Sequence, residues 1–310
     1  MKAIRVHEYG GAEQLRLEEA PQPKVESGKV LVRIHAASVN PIDFKLASGV
    51  MRKFMPIAFP WVPGGDFSGA VEEVGSGVTG LAKGDAVYGD APASGAYAEF
   101  YAGPASTIAP KPRQLSDVEA ASIPLAGQTA WQGLFDHGRL ERGETVLIHG
   151  AAGGVGTFAV QLAHWKGAKV LATASAENAD YLRSLGADTV IDYKATPFES
   201  VAKDVDLVFD LIGGETQRRS FGVLKPGGRL IATAQPPSPE EAAKHKVEAK
   251  MMRMEASTAN LIKLTELLDA GKIRTVVTKT YSLAQARDAW TEIMSGHTRG
   301  KIVLQVATGK

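Results

Sequence analysis

The stretch Thr145-Val-Leu-Ile-His-Gly-Ala-Ala-Gly-Gly-Val-Gly156 decides the fold, because an apolar strand runs here into a glycine-rich turn and then a helix. The helix, predicted from Thr157 to Trp165, directs its free N–H groups and the positive end of its dipole at the turn, where an anion can bind. Gly153 and Gly154 let a pyrophosphate approach the backbone, and Gly156 lets the helix pack closely on its strand.

The turn departs from the usual G-x-G-x-x-G pattern at its first position, where Ala151 replaces glycine. A degenerate glycine motif also fits a tight strand–helix connection that binds no ligand, and this alternative stays open. If a dinucleotide binds, we expect its pyrophosphate to contact the backbone of Ala152, Gly153, Gly154 and Val155.

Short apolar strands alternate with helices after the turn, which is typical of a parallel α/β sheet with right-handed crossovers. Gly186 and Gly227 follow the helices at positions that favour a C-terminal cap. The strands are predicted over residues 169–174, 188–192, 205–212 and 229–234, and the helices over residues 177–185 and 215–224.

The N-terminal third has short strands punctuated by glycine and proline, which is typical of a small β-barrel or sandwich. The composition changes between Pro110 and Ser116. We therefore predict a first domain over residues 1–115, a nucleotide-binding domain over residues 116–270, and a segment 271–310 whose last strand can return to the first domain. The remaining predicted elements are strands over residues 3–6, 30–36, 68–74, 85–88, 97–101 and 301–306, and helices over residues 256–270 and 284–294.

The composition favours an ordinary globular enzyme, with 44% apolar and 22% charged residues and a net charge of +1 in 310 residues. This balance gives no strong field for nucleic acid, and no apolar run is long enough to cross a membrane. The N-terminus lacks a signal-peptide core, so we expect a cytoplasmic protein. The absence of cysteine excludes disulfides, thiolate nucleophiles and cysteine-ligated zinc.

Several motifs, in this order, resemble the medium-chain dehydrogenase/reductase superfamily, and within it the zinc-free quinone oxidoreductase and enone reductase branch. The resemblance implies a GroES-like β-barrel catalytic domain built from both chain ends, a Rossmann-type nucleotide-binding domain between them, and a cleft where they meet. Besides the glycine turn, the motifs are Ser38-Val-Asn-Pro-Ile-Asp-Phe-Lys45, Pro63-Gly-Gly-Asp-Phe-Ser-Gly69, Glu73-Val-Gly-Ser-Gly77, Gly84-Asp-Ala-Val-Tyr88, Pro124-Leu-Ala-Gly-Gln-Thr-Ala-Trp131, Leu185-Gly-Ala-Asp188, Gly227-Gly228 and Gly300-Lys-Ile-Val303.

The chain departs from the zinc alcohol dehydrogenases, which are similar but place a cysteine and a histidine–glutamate pair where this chain has Asn40 and Gly65-Asp66. We therefore expect no catalytic metal. Without a Lewis acid, alcohol oxidation loses its usual support. Hydride addition to a quinone, or to the β-carbon of an enone, leaves a delocalised anion that hydrogen bonds can stabilise.

The predicted cofactor is NADPH, because Ser175 stands where NAD-binding chains usually carry an acidic residue for the ribose. Similar NADP-dependent reductases add a basic residue where this chain has Asn178. Tyr193 resembles a tyrosine beside the adenosine phosphate, or merely packs, and Arg183 fits a solvated helix face better than a phosphate contact. The other predicted cofactor contacts are Thr129, which resembles a hydroxyl on the nicotinamide side or bonds within its helix, and the strand ends Leu211, Ile212, Gly213, Thr233 and Ala234.

The candidate catalytic residues are Asn40, Lys45 and Tyr88. In the similar proteins the loop with Asn40 and Lys45 lines the nicotinamide pocket, so Lys45 can donate to a substrate carbonyl or a ribose hydroxyl, while Asn40 can hold the cofactor or the substrate oxygen. Asp43 either orients Lys45 or caps the helix that follows, and capping is favoured. Tyr88 either delivers a proton or bonds a backbone group. The apolar run Phe54 to Trp61 either shapes a substrate pocket or fills the core.

The predicted function is NADPH-dependent reduction of quinones or of the C=C bond of α,β-unsaturated carbonyls. The alternatives are an enoyl reductase acting on acyl thioesters, and a cofactor-binding sensor or RNA-binding protein without turnover. We expect a small conjugated carbonyl or quinone as partner, with neither nucleic acid nor membrane. An edge strand between Lys246 and Met254 resembles one that pairs with its twin, so a homodimer is predicted.

Overall fold

The computed structural model describes residues 1–92, 94–296 and 298–306, and it divides into two compact units. Unit 1 consists of Met1–Leu125, Ala256–Asp269 and the segment from Thr275 onward, and unit 2 consists of Ala126–Glu255 and Ala270–Arg274. Residues 307–310 of the predicted segment 271–310 lie outside the described residues. Within the described ranges, every helix is too short or too polar to span a lipid bilayer.

The strands follow the predicted order closely. In chain order they are β1 (Lys2–Arg5), β2 (Arg16–Glu19), β3 (Lys29–Val39), β4 (Asp66–Val74), β5 (Ala86–Asp90), β6 (Phe100–Pro104), β7 (Ile108–Pro110), β8 (Thr145–His149), β9 (Lys169–Ala174), β10 (Thr189–Asp192), β11 (Val205–Asp210), β12 (Leu224–Ala232), β13 (Glu248–Met251), β14 (Val277–Ser282) and β15 (Lys301–Gln305).

The helices are short, apart from one after the glycine turn and one near the C-terminal part of the chain. They are α1 (Pro41–Ala47), α2 (Asp117–Ala121), α3 (Pro124–Trp131), α4 (Gly154–Lys166), α5 (Ala179–Ser184), α6 (Gly214–Ser220), α7 (Pro239–His245), α8 (Thr258–Asp269) and α9 (Ala286–Met294). A π-helical turn, Gln132–His137, continues α3.

Unit 2 is built on a six-stranded sheet of order β10-β9-β8-β11-β12-β13, in which every neighbouring pair is parallel. Helices α4 to α7 each form one crossover, while β10 connects to β11 through the single 3-10 turn Phe198–Ser200. This is the strand order of dinucleotide-binding Rossmann sheets, whose order reverses beside β8, where ligands bind at the carboxyl ends of the strands. Strand β11 is buried along its whole length, as expected for a strand covered on both faces. The predicted parallel α/β fold is confirmed.

Unit 1 is built on a seven-stranded, mostly antiparallel sheet in which β3 pairs with β4, β6 and β15. Strand β15 returns from the C-terminal part of the chain, and Leu304 lies opposite Ala37. The predicted return of this strand to the first domain is therefore confirmed. The core beneath the sheet includes Ile34, Phe67 and Trp290, all with buried side chains.

The predicted domain bounds and the start of one predicted strand differ from the structure. Residues 116–125 group with unit 1 and residues 271–274 with unit 2. The predicted nucleotide-binding domain, residues 116–270, also includes α8, but α8 groups with unit 1. The cause is a pair of contacts to that unit: the Tyr88 hydroxyl donates to the Leu261 carbonyl at 2.7 Å, and the Thr258 hydroxyl donates to the Ile108 carbonyl at 2.9 Å. The strand predicted over residues 97–101 begins only at Phe100, as β6.

Candidate active site and nucleotide-binding residues

The glycine-rich turn of unit 2 connects the carboxyl end of β8 to α4. Gly150 has a left-handed φ of 68°, and Gly153 caps α4 with extended backbone. Residues Ala152 to Val155 are half-buried. Because the first N–H groups of an α-helix have no partner inside the helix, an anion can accept hydrogen bonds from them here.

Two glycines of the turn meet different requirements. A Cβ at Gly156 would lie 2.4 Å from the Gly150 carbonyl oxygen and 2.6 Å from the Ala151 backbone, so the close approach of helix and strand requires glycine. A Cβ at Gly153 would meet only the Gly150 oxygen, at 3.5 Å, which is an ordinary contact. Packing among the described residues therefore does not explain Gly153, whereas a ligand approaching the backbone does. The turn fits a dinucleotide pyrophosphate.

The Ser175 hydroxyl lies at the carboxyl end of β9, on the same edge of the sheet. It donates to Glu177 Oε1 at 2.9 Å and accepts a hydrogen bond from Asn178 Nδ2 at 2.9 Å. Ser175 is 9% exposed, while Glu177 is exposed. The structure thus brings the predicted residues Ser175 and Asn178 together and adds the Glu177 carboxylate, which was not predicted as part of this site.

Tyr193 follows β10 beside this group. Its N–H donates to the Ala174 carbonyl at 3.2 Å, and its side chain is 58% exposed. That exposure favours the ligand-contacting interpretation of Tyr193 over the packing one. Arg183 is exposed and pairs with Asp180 at 2.7 Å on α5, as expected for a solvated helix face.

Asp210, which was not predicted, shapes the turn after β11. Its Oδ1 accepts hydrogen bonds from the N–H groups of Ile212 and Gly213, both at 3.0 Å, and its Oδ2 accepts one from Gln217 Nε2 at 2.9 Å. The Thr233 N–H donates to the Asp210 carbonyl at 3.0 Å. The predicted segments Leu211–Gly213 and Thr233–Ala234 are therefore adjacent at the same sheet edge as the glycine turn.

His149, at the end of β8, is a buried and uncharged residue whose side chain stabilises this edge of the sheet. Its Nδ1 lies 3.0 Å from Thr173 Oγ1 and its Nε2 lies 2.9 Å from Ser220 Oγ. Ser220 donates its own proton to the Thr216 carbonyl, so we infer that His149 carries its proton on Nε2. Burial lowers the pKa of His149 to about 4, which leaves the ring uncharged at neutral pH.

In unit 1, Asn40 precedes α1 and is 1% exposed. Its Oδ1 accepts a hydrogen bond from Lys301 Nζ at 2.5 Å, and its Nδ2 donates to Asp66 Oδ2 at 2.9 Å. Ser38 donates to the same Asp66 oxygen at 2.6 Å. Both ends of the Asn40 amide are therefore used inside unit 1. This geometry favours a positioning role for Asn40 over direct contact with cofactor or substrate.

Asp43 caps α1, as its favoured interpretation predicts. Its Oδ2 accepts hydrogen bonds from the Asn40 N–H at 2.9 Å and from the Tyr97 hydroxyl at 3.0 Å. The Trp290 indole N–H in turn donates to the Tyr97 hydroxyl at 3.3 Å. Burial raises the pKa of Asp43 to about 7.

The two remaining catalytic candidates have opposite surroundings. Lys45 lies on α1 and is exposed, and its ammonium makes no hydrogen bond or ion pair with the residues that the structure describes. Tyr88 is buried on β5, where its hydroxyl donates to the Leu261 carbonyl and lies 2.9 Å from Thr265 Oγ1. Burial raises the pKa of Tyr88 further. The geometry keeps Lys45 as a candidate and favours the structural interpretation for Tyr88.

Two further predictions concern residues on other segments. Thr129 lies in α3 and is 6% exposed, so its side chain is mostly enclosed. The apolar run after α1 is divided: Trp61 belongs to the core of unit 1, whereas the Phe54 side chain is 82% exposed. Phe54 is thus available for a ligand and Trp61 is not.

An ammonium group lies beside Asn40 and Asp66, which stand where the similar alcohol dehydrogenases have zinc ligands. Lys301 Nζ contacts Asn40 and lies 3.5 Å from Asp66 Oδ2. Burial lowers the pKa of Lys301, and the neighbouring Asp66 acts in the opposite direction. Across residues 1–92, 94–296 and 298–306, no three histidine, aspartate or glutamate side chains form a group that can hold a metal ion.

Two family sequence models match the chain. The one described as an alcohol dehydrogenase GroES-like domain matches residues 26–113, and the one described as a zinc-binding dehydrogenase matches residues 185–304. Together they cover more than half of the chain. The chain belongs to the medium-chain dehydrogenase/reductase superfamily. This membership confirms the predicted oxidoreductase class and its nicotinamide cofactor.

Within the medium-chain dehydrogenases/reductases, the chain belongs to the zinc-free quinone oxidoreductase branch. It is 36% identical to the 2-methylene-furan-3-one reductase of Solanum lycopersicum, over 98% of this chain and 79% of the relative. The solved quinone oxidoreductase from Coxiella burnetii is 35% identical, with a TM-score of 0.92 over 99% of both chains. The Escherichia coli quinone oxidoreductase, solved with NADPH, is 26% identical, with a TM-score of 0.90 over 99% of this chain and 100% of that one.

Proposed function

We propose that the protein is an NADPH-dependent, zinc-independent oxidoreductase that reduces quinones or the C=C bond of α,β-unsaturated carbonyls. The observation that carries this proposal is the half-buried backbone of Ala152–Val155 at the N-terminus of α4, which fits a dinucleotide. The substrate class is supported by the furanone reductase and the quinone oxidoreductases to which the chain is similar.

The residues of unit 2 bind the cofactor in this proposal. The turn holds the pyrophosphate, while Ser175, Asn178 and Tyr193 surround the adenosine ribose. Ser175 favours NADPH over NADH, because it offers a hydroxyl to the 2′-phosphate at a position where an acidic residue would repel that phosphate. Nicotinamide and its ribose contact Thr129 and the segments Leu211–Gly213 and Thr233–Ala234.

Lys45 supplies the charge that the reduction needs. NADPH, when bound, supplies a hydride. A conjugated acceptor that takes a hydride at its β-carbon develops negative charge on its carbonyl oxygen. The exposed Lys45 ammonium can donate a hydrogen bond to that oxygen, and the contacts of Asp43 and Asn40 hold the start of α1, the helix that carries Lys45. Water can deliver the proton that completes the reduction.

A substrate panel tests this function. The protein is mixed with NADPH and, separately, with quinones, enones, enals and saturated ketones, and NADPH consumption and products are followed. Primary alcohols are tested with NADP+, because their oxidation consumes the oxidised cofactor. We expect turnover with conjugated acceptors, yielding saturated carbonyls or hydroquinones, and none with saturated ketones. Absence of turnover with every conjugated acceptor would contradict the proposal.

The homodimer and the cytoplasmic location stay predictions. Strand β13 forms one edge of the sheet in unit 2, and Met251 on it is 37% exposed. An open strand edge can pair with a second copy of the same chain, which would also protect it from other partners.

A further inference from the structure

The adenosine end of the nucleotide site contains a carboxylate on the very hydroxyl that is expected to receive the 2′-phosphate. Ser175 Oγ donates to Glu177 Oε1 at 2.9 Å, so its proton points at the carboxylate. Asn178 Nδ2 donates to the same hydroxyl at 2.9 Å. Without a ligand, the Ser175 hydroxyl therefore already donates one hydrogen bond and accepts another.

A carboxylate here discriminates between the two nicotinamide cofactors. A phosphate monoester carries about −1.5 to −2 charges at neutral pH, and a carboxylate within a few ångströms repels it. A ribose 2′-hydroxyl has no charge and can donate to a carboxylate, as it does in NAD-binding sites of this fold. Glu177 therefore disfavours NADPH, whereas Ser175 favours it.

The cations at this edge offset that repulsion only in part. Arg183 is exposed and already pairs with Asp180 at 2.7 Å. Lys194 is exposed, with its Nζ 6.0 Å from the centroid of the Tyr193 ring. The exposed Lys194 ammonium is screened by solvent, whereas the Glu177 carboxylate is hydrogen-bonded directly to the Ser175 hydroxyl.

We propose that Glu177 is a specificity-determining residue that weakens binding of the 2′-phosphate and allows NADH as a second reductant. The inference rests on the proposed nucleotide site of unit 2, and it assigns a role to a side chain outside the glycine turn and outside the predicted contacts. Because Glu177 is exposed, its substitution leaves the core of unit 2 unchanged.

The test is a binding measurement with 2′,5′-ADP and 5′-AMP, which differ only in the 2′-phosphate. Glu177→Gln keeps an acceptor for Ser175 and removes the charge. We expect it to tighten binding of 2′,5′-ADP about tenfold, the size of one like-charge contact near a surface, while 5′-AMP changes less than twofold. Glu177→Lys is expected to tighten 2′,5′-ADP further.

Glu240→Gln is the matched control, because Glu240 Oε2 accepts a hydrogen bond from Ser238 at 2.7 Å in the same Ser-x-Glu arrangement on α7. Equal changes for both probes in Glu177→Gln, or an equal gain in Glu240→Gln, would overturn the inference. Failure of the proposed function has a different signature: the wild-type protein would bind 2′,5′-ADP and reduce no conjugated acceptor. A wild-type protein that binds neither probe would overturn both.

Discussion

At the scale of single residues, a buried cluster of ionisable side chains lies at the start of α1. Asp43, Asp66, Asp90 and Lys301 are all buried in unit 1. Burial and the nearby Asp66 charge raise the pKa of Asp90 well above its ordinary value. Unpaired buried charge is costly, so we expect Lys301 to pair with Asp66 while Asp90 keeps its proton at neutral pH.

Asp43 gives this cluster a signature in the pH dependence of stability. Its pKa is about 7 in the folded protein against 3.8 ordinarily, so between these values only the folded state keeps the proton. Its contribution to the free energy of unfolding is therefore greatest below pH 4 and falls by a few kcal/mol as the pH rises to about 7, at ~1.4 kcal/mol per pKa unit.

We predict that Asp43→Asn removes this fall, because asparagine keeps the acceptor for Asn40 and Tyr97 and does not titrate. Urea unfolding of both proteins at several pH values checks it. The difference between the two curves cancels shared contributions, such as that of His149, which acts in the opposite direction because its pKa is lowered. A difference that is constant from pH 4 to pH 7 would contradict the prediction.

Substitution of Lys45 distinguishes a role in the reduction step from a role in NADPH binding. Lys45→Met is expected to lower kcat/KM for an enone about 100-fold, the usual cost of losing one donor to a developing oxyanion. The affinity for NADPH, measured by fluorescence titration, should stay unchanged. Lys24→Met, at another exposed lysine of unit 1, is the control. Weaker NADPH binding with unchanged kcat would instead assign Lys45 to the ribose.

At the scale of elements, the glycine turn depends on the contact between α4 and β8. Gly156→Ala is expected to lower the free energy of unfolding by about 1–3 kcal/mol, because the new methyl group meets backbone atoms that cannot move aside. We also expect loss of 2′,5′-ADP binding. Gly222→Ala is the control, since a Cβ there meets nothing within 4 Å. Equal effects of both substitutions, measured by urea unfolding, would refute this account of the turn.

Elements that rest on continuous local patterns could be predicted, and those set by distant contacts could not. Strand β9 has the predicted bounds because it is an apolar run between polar residues. The strand predicted from Tyr97 is wrong at its start, because the Tyr97 N–H donates to the Pro63 carbonyl and its carbonyl accepts from the Ile4 N–H, both distant in sequence. Lys301 follows a glycine and resembles a surface residue. Its burial beside Asn40 arises only when β15 pairs with β3.

At the scale of the whole molecule, the open edge of β13 is the candidate dimer contact. Met251→Lys places a charge on that edge, and we expect it to convert a dimer into a monomer in analytical ultracentrifugation. Met294→Lys is the control, because Met294 is 51% exposed on α9 of unit 1. A wild-type protein that sediments as a monomer would contradict the predicted homodimer.

The central claim is hydride transfer from NADPH to the C=C bond of a conjugated acceptor without a metal. The most direct measurement uses NADPH that carries deuterium at both C4 positions of the nicotinamide, an enone and a strong zinc chelator, with the product analysed by NMR. We predict a saturated ketone that carries deuterium at the β-carbon, formed at the same rate with and without chelator. Deuterium at the former carbonyl carbon, or a reaction that the chelator stops, would contradict the claim.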